Sequence, residues 1–380
     1  MVAASASAKA SYLIVGSGVF GASTAYHLIT RYPDASITLN KVVRADYGDI
    51  FYMRLGLAAL DAWRNDLLLS PFYHQCIPVA KAKELFGGLY ANANYEGIED
   101  AFVNRSGGLA AATSSIQAIV GAAIQSGVKF VKGNVDVLLL GKLGCEGVRL
   151  NTEEVLKAGR TIVCTGAGTP KLLVDSAPEN DSIHIGDRMC VAGVATGMVK
   201  LNDEQMNKFG RAPVFVNHTG ETLGETMPPI PDNLLKFCRV ASFKNTIGKM
   251  SGEFSMPPDE PEYGQWKAPP TLRDEIVTVQ KGIYGGYADS IPVDQYRLCW
   301  DAITPNQDFI ISPHPRVSNL YMATGGLFHA WKFLPVIGEY VVSMLEGTLD
   351  DETSRRWAWD REGKGGAHAA RLPKRELRDL

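Results

Sequence analysis

Three stretches of the 380-residue chain combine glycines and single reactive side chains at spacings that suit a bound cofactor. The first, Gly16-Ser17-Gly18-Val19-Phe20-Gly21, has the GxGxxG spacing. Its first glycine permits a tight turn, its second lets backbone approach a pyrophosphate, and its third lets a helix pack closely on a strand. Phosphates would then sit at the helix N-terminus. The second, Thr165-Gly166-Ala167-Gly168, again runs a strand into glycines. The third begins at Cys299 in Tyr296-Arg297-Leu298-Cys299-Trp300-Asp301 and continues to Gly325-Gly326, followed by Phe328, His329, Trp331 and Lys332. A glycine pair brings backbone close to something flat, and a thiolate near cations is a nucleophile. Each stretch also has a plain reading: a packing turn, a small buried cysteine, a satisfied histidine, a solvated lysine.

The spacing of the first turn allows either a nicotinamide or a flavin dinucleotide. A late strand returning to the same cofactor is a need of FAD proteins and not of a simple NAD enzyme, so Thr165-Gly166 together with the third stretch tips the balance to flavin. One partner is missing. An Asp or Glu is expected about 20 residues beyond the first turn, to hold the ribose hydroxyls, but Leu39 is followed by Asn40-Lys41.

These residues need elements to position them. An apolar run at 11–15 reads as a strand, the stretch after Gly21 as a helix, and Ile37-Thr38-Leu39 as the next buried strand, giving βαβ order. Ile116, Ile119, Val120, Ala123 and Ile124 share one helical face, and Gly127 closes that helix. Strands are expected at 129–132, 135–140, 160–164 and 319–323, and Ile337, Tyr340, Val341, Met344 and Leu345 form a last helical stripe ended by Gly347. Between 182 and 297 the chain turns Pro-rich with short β-branched runs, which reads as an inserted sheet. The expected fold class is therefore α/β plus α+β: a Rossmann-like FAD-binding domain (11–75, 107–181 and 298–350) with an inserted mixed-sheet substrate domain (76–106 and 182–297) and a C-terminal tail (351–380).

Composition excludes other classes. With 38 Lys+Arg against 41 Asp+Glu, and a formal charge of −3, a general nucleic-acid affinity is not expected. No apolar run approaches the roughly 18–20 residues of a membrane span. The start carries no secretory pattern, and six widely spaced cysteines without a CxxC pair suggest reduced thiols and no metal site. The expected location is cytoplasmic; the final Arg-Asp-Leu, loosely similar to an SKL ending, makes a peroxisomal one the other reading.

Taken together, GSGVFG, NKVVRADYG, the Cys299 segment and GGLFHAWKFLPVIG resemble the FAD-dependent amine oxidases of the D-amino-acid-oxidase superfamily. The branch is that of monomeric sarcosine oxidase, the fructosyl amino acid oxidases (amadoriases) and the pipecolate or saccharopine oxidases. The resemblance runs from about Tyr12 to Gly347. It implies covalent FAD, bonded through Cys299 to the 8α carbon of the ring. It also implies that Lys332 and Arg44 receive a substrate carboxylate, the guanidinium bidentately and the ammonium as a point charge. Lys41 matches a cation over the flavin face, where it would stabilise negative charge, and His329 flanks the ring. Lys244 is a further lysine considered for oxygen activation. With Gly16, Ser17, Gly18, Val19, Phe20, Gly21, Val135, Thr165, Gly166, Gly326 and Phe328, these residues complete the expected cofactor and substrate set.

The implied reaction is oxidation of the C–N bond of a secondary amine, with oxygen as acceptor, in a monomer. An NAD-dependent dehydrogenase and a non-catalytic dinucleotide-binding protein are the alternatives. Two features depart from the branch. Asp301 stands where sarcosine oxidases place an aromatic residue; a carboxylate there would pair with an ammonium or polar substituent of the substrate. The chain is also short at Leu39/Asn40 and between His74 and Gly107, which leads to the expectation that the natural polypeptide carries loops absent from this sequence. An intact mass in agreement with 41.2 kDa, once flavin is allowed for, would exclude that.

Overall fold

The computed structural model describes residues 11–31, 41–43, 49–66, 68, 73–75, 88–96, 108–210, 212–217, 220–229, 232–249, 252–258, 264–361 and 372–380. The chain opens with β1 (Tyr12–Val15) and α1 (Val19–Arg31), then β2 (Lys41–Val43), α2 (Ile50–Asn65), β3 (Tyr73–Gln75), β4 (Gly108–Ala110) and α3 (Ala112–Gln125). β5 (Val135–Gly141), β6 (Gly144–Leu150), β7 (Val155–Lys157), β8 (Arg160–Val163) and α4 (Thr169–Ser176) follow. Next come β9 (Cys190–Lys200), α5 (Asp203–Phe209), β10 (Phe215–Asn217), β11 (Gly224–Met227), β12 (Leu234–Arg239), β13 (Phe243–Lys244), β14 (Thr246–Lys249), β15 (Gly252–Ser255) and α6 (Pro270–Tyr284). The last elements are β16 (Gln295–Ile303), β17 (Ile310–Pro313), β18 (Leu320–Thr324), α7 (Ile337–Glu346), α8 (Asp351–Arg356) and β19 (Arg375–Glu376).

Two sheets organise this chain. The first has the order β1-β8-β18-β17, with β1, β8 and β18 parallel and β17 antiparallel at the edge. Its strands are buried on both faces, because successive side chains point opposite ways. Ile162, Ile311 and Ala323 join a cluster built on α1, α2, α3 and α7, while Val163, Ile310 and Met322 join another lined by β5, β6 and α4. β5, β6 and β7 make their own antiparallel sheet, and β2, β4 and β3 another. α1 and α7 meet at Gly338, where an added Cβ would collide with Ser23 backbone, and Gly338 N donates to Ser23 Oγ at 2.8 Å.

The second sheet runs β10-β11-β12-β9-β13-β19, with β16 paired to β9 along its whole length. It is antiparallel except for the β13–β19 pair. α6 covers one face through Leu272, Ile276, Val279 and Ile283, packed on Ala195, Val199, Leu235, Phe237 and Leu298.

Two expectations change. Residues 129–132 (Lys-Phe-Val-Lys) form no strand: Phe130 is 42% exposed there, and pairing begins at Val135. Residues 351–380 do not hang as a tail where they are described. Trp357 is fully buried in the α1/α7 cluster, Trp359 in the β5/β6 cluster and Leu377 in the α6 cluster. The expected strand at 37–39 and the Leu39/Asn40 junction lie outside the described residues, and of the segment between His74 and Gly107 only 75 and 88–96 are described.

Candidate active site

Parallel strands end in turns at one edge of their sheet, and ligands of open α/β sheets bind there. β1, β8 and β18 each end in one of the three turns singled out in the sequence. After β1, Gly16 has φ +104°, and an added Cβ would lie 2.5 Å from Cys164 O. At Gly21 a Cβ would run into Gly16 O, whereas at Gly18 it would meet nothing within 4 Å. Two glycines are thus walled by backbone and the middle one faces open space at the start of α1, as a pyrophosphate requires. Burial pushes the Cys164 thiol well up, so this cysteine acts as packing beneath the turn. Val135 shares an apolar cluster with Val15, the residue preceding Gly16.

After β8, Gly166 has φ +49° with open space beside its Cα. Thr165 Oγ1 lies 2.9 Å from Thr169 Oγ1, which lies 3.3 Å from Thr324 Oγ1 at the end of β18. A chain of hydroxyls therefore ties the second turn to the third. Thr169 and Thr324 were missed in the sequence, where nothing local links positions 155 residues apart.

The third turn carries two consecutive non-glycine residues at positive φ, Leu327 (55°) and Phe328 (56°). Such backbone is costly and clusters at functional sites. Asp301 holds it: Phe328 N donates to Asp301 Oδ2 at 2.7 Å and Ala302 N to Oδ1 at 2.8 Å, while Leu327 N donates to Ala302 O at 2.9 Å. Leu298 and Trp300 of β16 belong to or pack on the α6 cluster. By strand alternation Cys299 and Asp301 face the other way, toward the turns. Cys299 is a free, half-buried thiol with Sγ 3.8 Å from Thr196 Oγ1, and β16 packs on the Gly166–Gly168 turn.

Beyond Phe328 the chain forms a short 3-10 turn, Ala330–Phe333, which buries Lys332 to 6% exposure. Trp63 Nε1 of α2 donates to Lys332 O at 2.8 Å, and β2, which carries Lys41, packs on the same turn. His329 sits in an aromatic cage, its ring centroid 5.2 Å from Tyr52, 5.3 Å from Phe309 and 5.7 Å from Phe333. Burial, then the Asp308 charge, pushes the Tyr52 hydroxyl well above its usual range, so Tyr52 stays neutral. Its oxygen accepts from Phe309 N at 3.3 Å.

The fold therefore gathers Gly16, Ser17, Gly18, Val19, Phe20, Gly21, Thr165, Gly166, Cys299, Asp301, Gly326, Phe328, His329 and Lys332 on the turns and on β16. Lys41 reaches the group by its strand. Arg44 lies outside the described residues, though the helix behind it is anchored: Asp49 caps α2 through Phe51 N and pairs with Arg356 Nη2 at 2.7 Å, which also meets Asp308 at 2.9 Å. Lys244 is engaged elsewhere, 3.1 Å from Glu376. Among the described residues no group of His, Cys, Asp and Glu is arranged to hold a metal, and no helix is long and apolar enough to cross a membrane.

Residues 45–344 match the family described as FAD dependent oxidoreductase (DAO). The chain belongs to that family. This oxidoreductase is 25% identical over 415 residues to the L-saccharopine oxidase of Schizosaccharomyces pombe, with 93% of each chain covered. It is 29% identical over 228 residues to the amino acid oxidase imqH of Aspergillus flavus, covering 52% of this chain and 45% of that one. In fold it is similar to the fructosyl peptide oxidase of E. terrenum, with a TM-score of 0.81 at 23% identity over 99% and 98% of the two chains. The fructosamine oxidase (Amadoriase II) of Aspergillus fumigatus gives a TM-score of 0.76 at 22% identity over 93% and 91%. The cofactor of the oxidoreductase is FAD, and the glycine-walled turn with its open centre at Gly18 fits it.

Proposed function

We propose that the oxidoreductase oxidises the C–N bond of a secondary amine, an N-alkylated amino acid of the N-methyl, fructosyl, saccharopine or pipecolate kind, in a monomer. The observation that carries this reading is Lys332, a lysine buried on the turn that follows β18. A cation there suits a substrate carboxylate. Saccharopine, named for one relative, carries one beside a doubly substituted nitrogen, and so do fructosyl amino acids.

Bound FAD supplies the redox step, taking two electrons and a hydrogen from the carbon next to nitrogen and passing the electrons to oxygen as hydrogen peroxide. The chain's residues orient and neutralise. Lys332 and Arg44 hold the carboxylate so that the reacting carbon faces the ring, a positioning effect. Lys41 would supply positive charge to the flavin, and Cys299 would hold it through sulfur. The substrate leaves as an imine, having lost a proton from nitrogen and the hydrogen from carbon, and water then cleaves it.

A peroxide assay across those four amine classes tests the reading. Release with at least one class, lost in Arg44→Ala and Lys332→Ala, supports it; silence across the panel from a flavin-loaded protein refutes it. Yellow colour that stays with acid-precipitated protein, and washes out of Cys299→Ser, tests the tether separately.

A further inference from the structure

We propose that Asp301 is a positioning residue that fixes the flavin-facing turn from the strand carrying Cys299, and does not meet the substrate. The inference rests on the reading of the Cys299 strand and the third turn as the flavin's surroundings.

The geometry is specific. Both carboxylate oxygens of Asp301 accept backbone N–H groups, one of Ala302 beside it and one of Phe328, 27 residues on. Phe328 and the preceding Leu327 hold a left-handed backbone that side-chain-bearing residues avoid, and an ionised acceptor at 2.7 Å is among the stronger restraints available to such a turn. The carboxylate also fills the space beside Gly326: a Cβ there would stand 2.5 Å from Asp301 Oδ1 and 2.9 Å from Oδ2. The glycine at 326 is thus required by the carboxylate packed against its Cα, and not by its own φ. Since Cys299 and Asp301 share one face of β16, a single strand sets where the sulfur stands and where Phe328, His329 and Lys332 begin.

Asp301→Asn and Gly326→Ala test this from opposite sides. The first opposes an amide NH2 to one of the two backbone donors; the second keeps the carboxylate and pushes it aside. Both are purified as holoenzymes, and flavin per chain, the fraction surviving acid precipitation and the substrate-free visible spectrum are recorded beside the melting temperature. The expected result is a shifted flavin spectrum in both variants, with flavin content or the covalent fraction reduced by about tenfold, in proteins that still melt cooperatively. An unchanged substrate-free spectrum and flavin content in both variants would overturn the proposal, whether KM for the amine rises, as a substrate contact would require, or stays the same. Asp301→Ala, which removes both acceptors without adding a donor, serves if Asp301→Asn does not fold. Because these readouts need no substrate, they decide the role of Asp301 even if no amine yields peroxide.

Discussion

A methyl group at Gly16 would press on Cys164 O and force a non-glycine residue to φ +104°. The strain alone costs about 1–2 kcal/mol, and the clash is with backbone that cannot swing away. Gly16→Ala is therefore expected to purify with little flavin and to melt several degrees below wild type, measured by absorbance and calorimetry. Gly18→Ala meets open space and should leave the apoprotein's melting temperature nearly unchanged while still weakening flavin retention. If both variants lose stability alike, the open centre of the turn is not a ligand space. At this scale the sequence was most informative, since a glycine spacing declares its turn. It could not reveal the work of Asp301 or Thr324, whose partners lie on segments remote in sequence.

Between elements, packing sets the terms. α7 approaches α1 so closely at Gly338 that a side chain would displace Ser23 backbone. Gly338→Ala is an overpacking change expected to cost about 1–3 kcal/mol, seen as a lowered denaturation midpoint with an unchanged slope. Leu377, 2% exposed under the second sheet, should cost about 2–5 kcal/mol when cut to Ala. That result would separate a structural C-terminal segment from a dispensable tail. Helical periodicity located α3 and α7, each burying one regular face, and short apolar runs marked β8 and β18, which are buried on both faces. The reading failed at 129–132, where the short Phe130-Val131 pair between two lysines lies outside any sheet, and at 351–380, whose scattered apolar residues serve three different clusters.

At the scale of the whole molecule, two groups with opposite chemistry contribute to pH dependence. His314, 4% exposed, accepts Arg316 N–H at Nδ1 while Nε2 faces Ile183 O, each at 3.2 Å, an arrangement a neutral imidazole satisfies. Burial lowers its pKa, so the unfolded chain takes up a proton first as acid is added. Its contribution is complete above its unfolded value near 6.5 and declines as pH falls below that. Asp49 acts lower down. The hydrogen bond from Arg356, ahead of opposing burial, lowers its pKa, so its contribution holds above about pH 4 and disappears as pH falls through the lowered value. Melting temperatures from pH 7 to 3 should fall in two stages. His314→Gln should blunt the upper one and Asp49→Asn the lower, the latter modestly because the carboxylate is 40% exposed. That 182–297 would hold a sheet could be anticipated from the change of composition after residue 181, but not that β16 would pair with β9 along its whole length.

The strand order also governs biosynthesis. The first glycine turn is synthesised well before β18, α7 and Trp357, which complete its sheet, cover its helix and lie about 300 residues further along the chain. The emerging half-sheet must therefore wait with apolar faces uncovered while the entire intervening body is synthesised. FAD is therefore expected to be held only once β18 has been made, and a chain stalled before that point is expected to be prone to aggregation.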